Sequence, residues 1–137
     1  MKTFSKEMKS AITRILKKHE QLEKFNTQYD FHLRLEMENF LPLVIEKHSK
    51  QLTITHYRSE NGDLIADPDM EFLVGPDTEW YPVALQMWNG SYHRARFTEN
   101  GKDYVNLRQV REQLSFAKMW ARNLKGQGWT LGVLKKF

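Results

Sequence analysis

Among the side chains between positions 56 and 71, His56, Asp63, Asp67, Asp69 and Glu71 are candidates to bind a hard cation. Carboxylate oxygens hold Mg²⁺ or Mn²⁺, and a metal so held activates water for hydrolysis. In an extended strand Asp69 and Glu71 project to the same face, as two ligands of one ion must. The same segment also reads as turns, because Asx side chains accept backbone N–H bonds at Asn61-Gly62-Asp63 and at Asp67-Pro68-Asp69. Pro68-Asp69 opens the P-D…E-x-K pattern of metal-dependent nucleases, but Phe72-Leu73 follows Glu71 and the lysine is missing.

A second set of residues is basic. Arg94 and Arg96 stand beside Tyr92 and His93, and Arg108, Arg111, Lys118, Arg122 and Lys125 recur along a C-terminal segment that ends Lys135-Lys136. Clustered Lys and Arg neutralise phosphates, and aromatics stack unpaired bases. Against that reading, cations on the solvent side of an amphipathic helix are commonly its hydrated face, and no nucleic-acid-binding motif accompanies them. The five histidines are too dispersed for a metal motif, and the four tryptophans read as packing residues.

Other chemistry is excluded more firmly. Without cysteine there is no disulfide framework, thiol nucleophile or thiolate zinc site. Walker, G-x-S-x-G, H-E-x-x-H and dinucleotide-binding glycine patterns are all missing. No cofactor is indicated beyond Mg²⁺ or Mn²⁺ at the acidic segment. No apolar run is long enough to span a bilayer, and the N-terminus lacks the apolar stretch of a signal peptide, so a cytoplasmic protein is expected.

Charge is unevenly spread. Residues 1–58 carry 11 Lys/Arg and 7 Asp/Glu, residues 59–79 carry seven acids and no base, and residues 80–137 carry 10 bases and 3 acids. Either the basic flanks neutralise the acidic centre within the fold, or they form a surface for an acidic partner.

The elements that must position these groups follow from hydrophobic periodicity. Phe4, Met8, Ile12, Ile15, Leu16, His19 and Leu22 form one helical stripe, predicting a helix to about Asn26. Phe31, Leu33, Leu35 and Met37 alternate with polar residues as in a half-buried strand, although the composition also suits a helix. Residues 43–46 and 52–57 predict a hairpin turning near His48-Ser49-Lys50. A linker through Pro68 should lead to a strand at 70–74, ended by Gly75-Pro76. Val83, Leu85 and Met87, then Asn89-Gly90, then residues 92–97 predict a hairpin closed by a type I′ turn. Residues 98–105 read as a polar connector. Leu107, Val110, Leu114, Ala117, Ala121 and Leu124 predict a helix over about 106–125, capped at Gly126, and Trp129 to Phe137 a final strand or arm. The expected fold is α+β: one domain over residues 1–137, with an antiparallel sheet and both the N-terminal and C-terminal helices packed on one face.

His56-Tyr57, Asn61-Gly62-Asp63-Leu64 and Asp67-Pro68-Asp69-Met70-Glu71-Phe72 resemble a family of uncharacterised small bacterial domains carried on plasmids, phages and other mobile elements. The likeness runs from Phe40 through Trp80-Tyr81-Pro82 and takes in Phe116 to Leu124 and Gln127-Gly128-Trp129, leaving out the first helix. It implies a bacterial or phage cytoplasmic origin and no catalytic residue. Two readings result: a non-catalytic interaction module acting through a protein or nucleic acid, as monomer or homodimer and away from membranes, or a metal-dependent hydrolase or nuclease built on the acidic segment.

Overall fold

The computed structural model describes residues 3–131, together with the backbone of Val133–Lys135. Two helices come first, α1 (Lys6–Lys18) and α2 (Leu22–Thr27), then strands β1 (Asp30–Glu36), β2 (Leu43–His48), β3 (Gln51–Glu60), β4 (Asp63–Val74), β5 (Trp80–Gln86) and β6 (Tyr92–Arg94). A hairpin of β7 (Arg96–Glu99) and β8 (Lys102–Val105), helix α3 (Leu107–Gln127), a 3₁₀ turn (Trp129–Leu131) and β9 (Val133–Lys135) complete the chain. Six strands form an antiparallel meander in spatial order β6-β5-β4-β3-β2-β1, and β9 adds antiparallel to β1 as the seventh. β7 and β8 pair only with each other.

One continuous core holds these parts together. Phe31, Leu33 and Leu35 of β1, Leu43 and Ile45 of β2, Leu52 and Ile54 of β3, and Met70 and Phe72 of β4 pack under Met8, Ile12, Ile15 and Leu16 of α1 and Ala117, Trp120, Ala121 and Leu124 of α3. The alternation that places these residues inward places their neighbours outward, so the sheet has a covered face and an open one. Among the described residues no helix is long and apolar enough to cross a membrane.

Several sequence expectations need correction. The first helix does not run to Asn26. Glu20 takes a left-handed conformation (φ +58°), with Glu20 N–H bonded to Lys17 O and Gln21 N–H to Leu16 O, the paired bonds of a Schellman stop. Glycine usually marks that position, so the sequence showed no break. The supposed linker at 64–69 belongs to the 12-residue β4, which Asn61-Gly62 (φ +52° and +85°) joins to β3 in a tight hairpin. Pro68 is tolerated because the ladder skips there: Tyr57 pairs with Ala66 and Thr55 with Asp69. The loop at Asn89-Gly90 is not type I′, since only Gly90 (φ +83°) is left-handed and Gly90 N–H bonds Met87 O. The 98–105 connector is the β7–β8 hairpin, turned by Asn100-Gly101 (φ +53° and +75°).

On α3 the buried stripe is Val110, Gln113, Ala117, Trp120, Ala121 and Leu124, while Leu107 is exposed. Gln113 earns its interior place by donating from Nε2 to His93 O at 3.0 Å. The helix stops at Gly128 (φ +89°), two residues beyond the expected cap. The predicted last strand is β9, and Gly132, Lys136 and Phe137 lie outside the described residues.

Three of the four tryptophans are interior, and Trp129 is 1% exposed. Trp129→Ala should therefore cost about 3–5 kcal/mol, the range for emptying an aromatic site in a packed core. Urea unfolding followed by far-UV circular dichroism measures this, and a loss below about 1 kcal/mol would place Trp129 outside the core.

Candidate functional site

Two surfaces carry the polar groups singled out by sequence, and they lie on opposite sides of the sheet. The open face is arranged by strand register. Reading across β2, β3, β4, β5 and β6, one row is Val44, Thr55, Asp69, Gln86 and Tyr92, and the next is Glu46, Thr53, Glu71, Ala84 and Arg94. Asp69 and Glu71 thus share a face, as their spacing predicted, and Glu46 stands two strands away in the row of Glu71.

Burial and crowding set the electrostatics here. Partial burial, then the neighbouring Glu71 carboxylate, push Asp69 up to about 6, opposed by a hydrogen bond from Thr55. The Oδ1 atom of Asp69 is buried and has no hydrogen-bond partner among the described residues. Burial also raises Tyr57, with Asp69 and Glu46 adding to the effect, and raises Tyr92, with Glu71 adding. Glu46 is met by His32 Nε2 at 3.1 Å.

Strand β7 overhangs this face. Between it and the sheet lies a cleft of about 310 Å³ lined by Thr53, Glu71, Leu73 and Val83 below and Arg96, Phe97 and Thr98 above. The Arg96 guanidinium sits 5.2 Å from the Tyr81 ring centre, and that of Arg94 5.2 Å from the Phe97 ring.

The remaining acidic-segment residues do not join Asp69 and Glu71. His56 points to the covered face, its ring 5.5 Å from Trp120 and 5.6 Å from Trp129, with Nδ1 3.2 Å from Pro42 O. Burial holds it below the usual histidine range, so it is neutral at pH 7. Asp67 lies at the ladder skip, near enough to His56 to oppose that shift. Asp63 begins β4 at the far hairpin, six residues from Asp69 and so roughly 20 Å along the strand. Among the described residues no three His, Asp or Glu side chains are gathered to hold a metal ion.

The second surface is the outward side of the helices. Arg111, Lys118, Arg122 and Lys125 are exposed on α3 at spacings of seven, four and three, hence on one stripe. A groove lined by Glu7, Arg111, Leu114, Ser115 and Lys118 separates α3 from α1, and Lys125 Nζ reaches Ser10 Oγ at 3.4 Å. Lys6, Lys9, Arg14 and Lys17 of α1 line the neighbouring hollow. Nothing in one sequence tells that α1 lies beside α3, so these cations could not be joined to those of α3 in advance. Arg108 is paired with Glu112 at 3.2 Å, Arg94 and Arg96 belong to the open face, and the side chains of Lys135 and Lys136 lie outside the described residues.

The charge blocks are therefore mostly not spent on each other. Among the described residues, the ion pairs joining the acidic segment to its flanks are Lys9–Glu79 (3.1 Å) and the near-neighbours Arg58–Glu60 (3.2 Å).

The architecture defines an α+β protein with both long helices on one face of an antiparallel meander, and a charged surface on either side. The chain belongs to a family described as a domain of unknown function (DUF6908), whose model matches residues 10–130 and so takes in most of α1 as well as the segments that carry the sequence resemblance. No curated protein and no solved structure matches it.

The raised Asp69 makes a pH prediction. Folding favours its protonated form, so above pH 6 the carboxylate opposes folding, and that opposition fades as pH falls from about 6 toward 3.8. Asp69→Asn should stabilise the protein by about 1–2 kcal/mol at pH 8, solvent screening of the exposed part reducing the full effect, and by much less at pH 4.5. Urea titrations at the two pH values test this, and an equal effect at both would refute it.

Proposed function

We propose that this protein is a non-catalytic binding module that grips nucleic acid along the outward side of α1 and α3. One observation carries the reading: Lys6, Lys9, Arg14 and Lys17 from one end of the chain and Arg111, Lys118, Arg122 and Lys125 from the other form one cationic surface. Among the described residues, Glu7, Glu79 and Glu112 are acids that lie beside it. Bringing so many like charges together costs folding energy through self-repulsion, which a polyanion relieves by releasing its own counterions. A pair of helices with no aromatic platform between them suits a duplex backbone better than splayed bases. The bacterial or phage setting implied by the sequence resemblance, on an element that must be handled as DNA, fits such a role. A hydrolase built on the acidic segment has less support, because the five candidate ligands divide between the two faces of the sheet and the far hairpin.

Fluorescence anisotropy with a labelled mixed-sequence duplex tests the proposal. Six neutralised phosphates would weaken binding about 10³-fold between 50 and 200 mM salt. The triple change Arg111→Glu, Lys118→Glu and Arg122→Glu should weaken it at least about tenfold, while the melting temperature moves by only about 2 °C because all three side chains are exposed. Salt-insensitive binding, or full affinity in the triple variant, would sink the reading.

A further inference from the structure

The cleft under β7 lies on the side of the sheet away from the proposed nucleic-acid surface, and that proposal leaves it unused. Its lining carries both signs of charge, Glu71 on the sheet and Arg96 on the overhanging strand. Such groups in one small cleft ordinarily find each other, yet neither forms an ion pair among the described residues. Arg96 Nε is buried without a hydrogen-bond partner, and so is Oδ1 of Asp69 beside Glu71. Leaving the Arg96 guanidinium partly desolvated without an ion pair costs free energy that an anionic ligand group would recover. Leu73, Val83 and Phe97 give the same cleft an apolar part. The volume of about 310 Å³ is at the small end of ligand cavities.

We propose that this cleft binds a small amino–carboxylate zwitterion, its ammonium group held by Glu71 and its carboxylate by Arg96. Arg96 presents a planar fork suited to a carboxylate, and its guanidinium is seated 5.2 Å from the Tyr81 ring centre. Thr53 and Thr98 line the same space, and because Thr98 already donates its O–H to Asp103 at 2.7 Å, its oxygen is left to accept. The apolar part accepts the methylenes or side chain between the two charges. This is a site for a free amino acid or an ω-amino acid, whose charges are separated by a few carbons.

Thermal unfolding of the full chain against a panel of α-, β-, γ- and δ-amino acids, each at about 20 mM, tests it. At least one member should raise the melting temperature by about 3 °C or more once its concentration passes ten times Kd. Its N-acetyl and amide derivatives, each lacking one charge, should give no rise. In the wild-type protein, ¹⁵N–¹H spectra should place the perturbed amides at Thr53, Leu73 and Thr98, which keeps the test independent of any variant that folds poorly. Glu71→Gln and Arg96→Gln should each lower affinity at least about tenfold. The proposal is overturned if no panel member shifts the melting temperature or those amides, if the singly charged derivatives bind as well as the parent, or if either variant retains full affinity.

Discussion

His56 is enclosed between the indoles of Trp120 and Trp129, and three distant parts of the chain meet at that stack. β3 contributes the imidazole, α3 one indole and the 3₁₀ turn the other, while Phe40 from the β1–β2 connection lies 6.0 Å from the Trp129 ring. The same turn accepts at Trp129 O the 2.9 Å contact from His19 Nε2 at the end of α1. An uncharged imidazole is required, since a protonated ring would carry charge into an apolar enclosure. This joint seats α3 against the sheet beside α1, and the basic surface exists only because the two helices are neighbours.

The alternating strands follow from this one-sided burial. Each strand of the meander sends alternate residues to the helices and leaves the rest on the open face, so Asp69 and Glu71 become partners of Thr55, Thr53 and Glu46 by register alone. Of the acidic centre, Asp69 and Glu71 are then held away from the cations of α1 and α3 by the sheet's thickness, whereas Glu79 meets Lys9 where α1 approaches the turn before β5.

Much of this was legible in advance. The α+β class, the helix stripes of Met8 to Leu16 and Val110 to Leu124, the strand alternation at Phe31 to Leu35 and the shared face of Asp69 and Glu71 rest on local periodicity. What stayed hidden depended on partners distant in sequence. Pro68 argued against a strand until the ladder skip opposite His56 accommodated it, and Glu20 ended α1 without the usual glycine. Asn100-Gly101 was the same turn chemistry as Asn61-Gly62, but its flanking residues are exposed and show no alternation to announce strands. His56 was grouped with the carboxylates by nearness in sequence, although period-two geometry already assigned it with Leu52 and Ile54 to the helix side.

β9 fills the free side of β1, which leaves the sheet ending at its other margin on β6, only three residues long. A strand so short offers an incoming chain few backbone hydrogen bonds, and Tyr92, His93 and Arg94 fill it with large exposed side chains. At this margin the sheet thus offers little for strand addition.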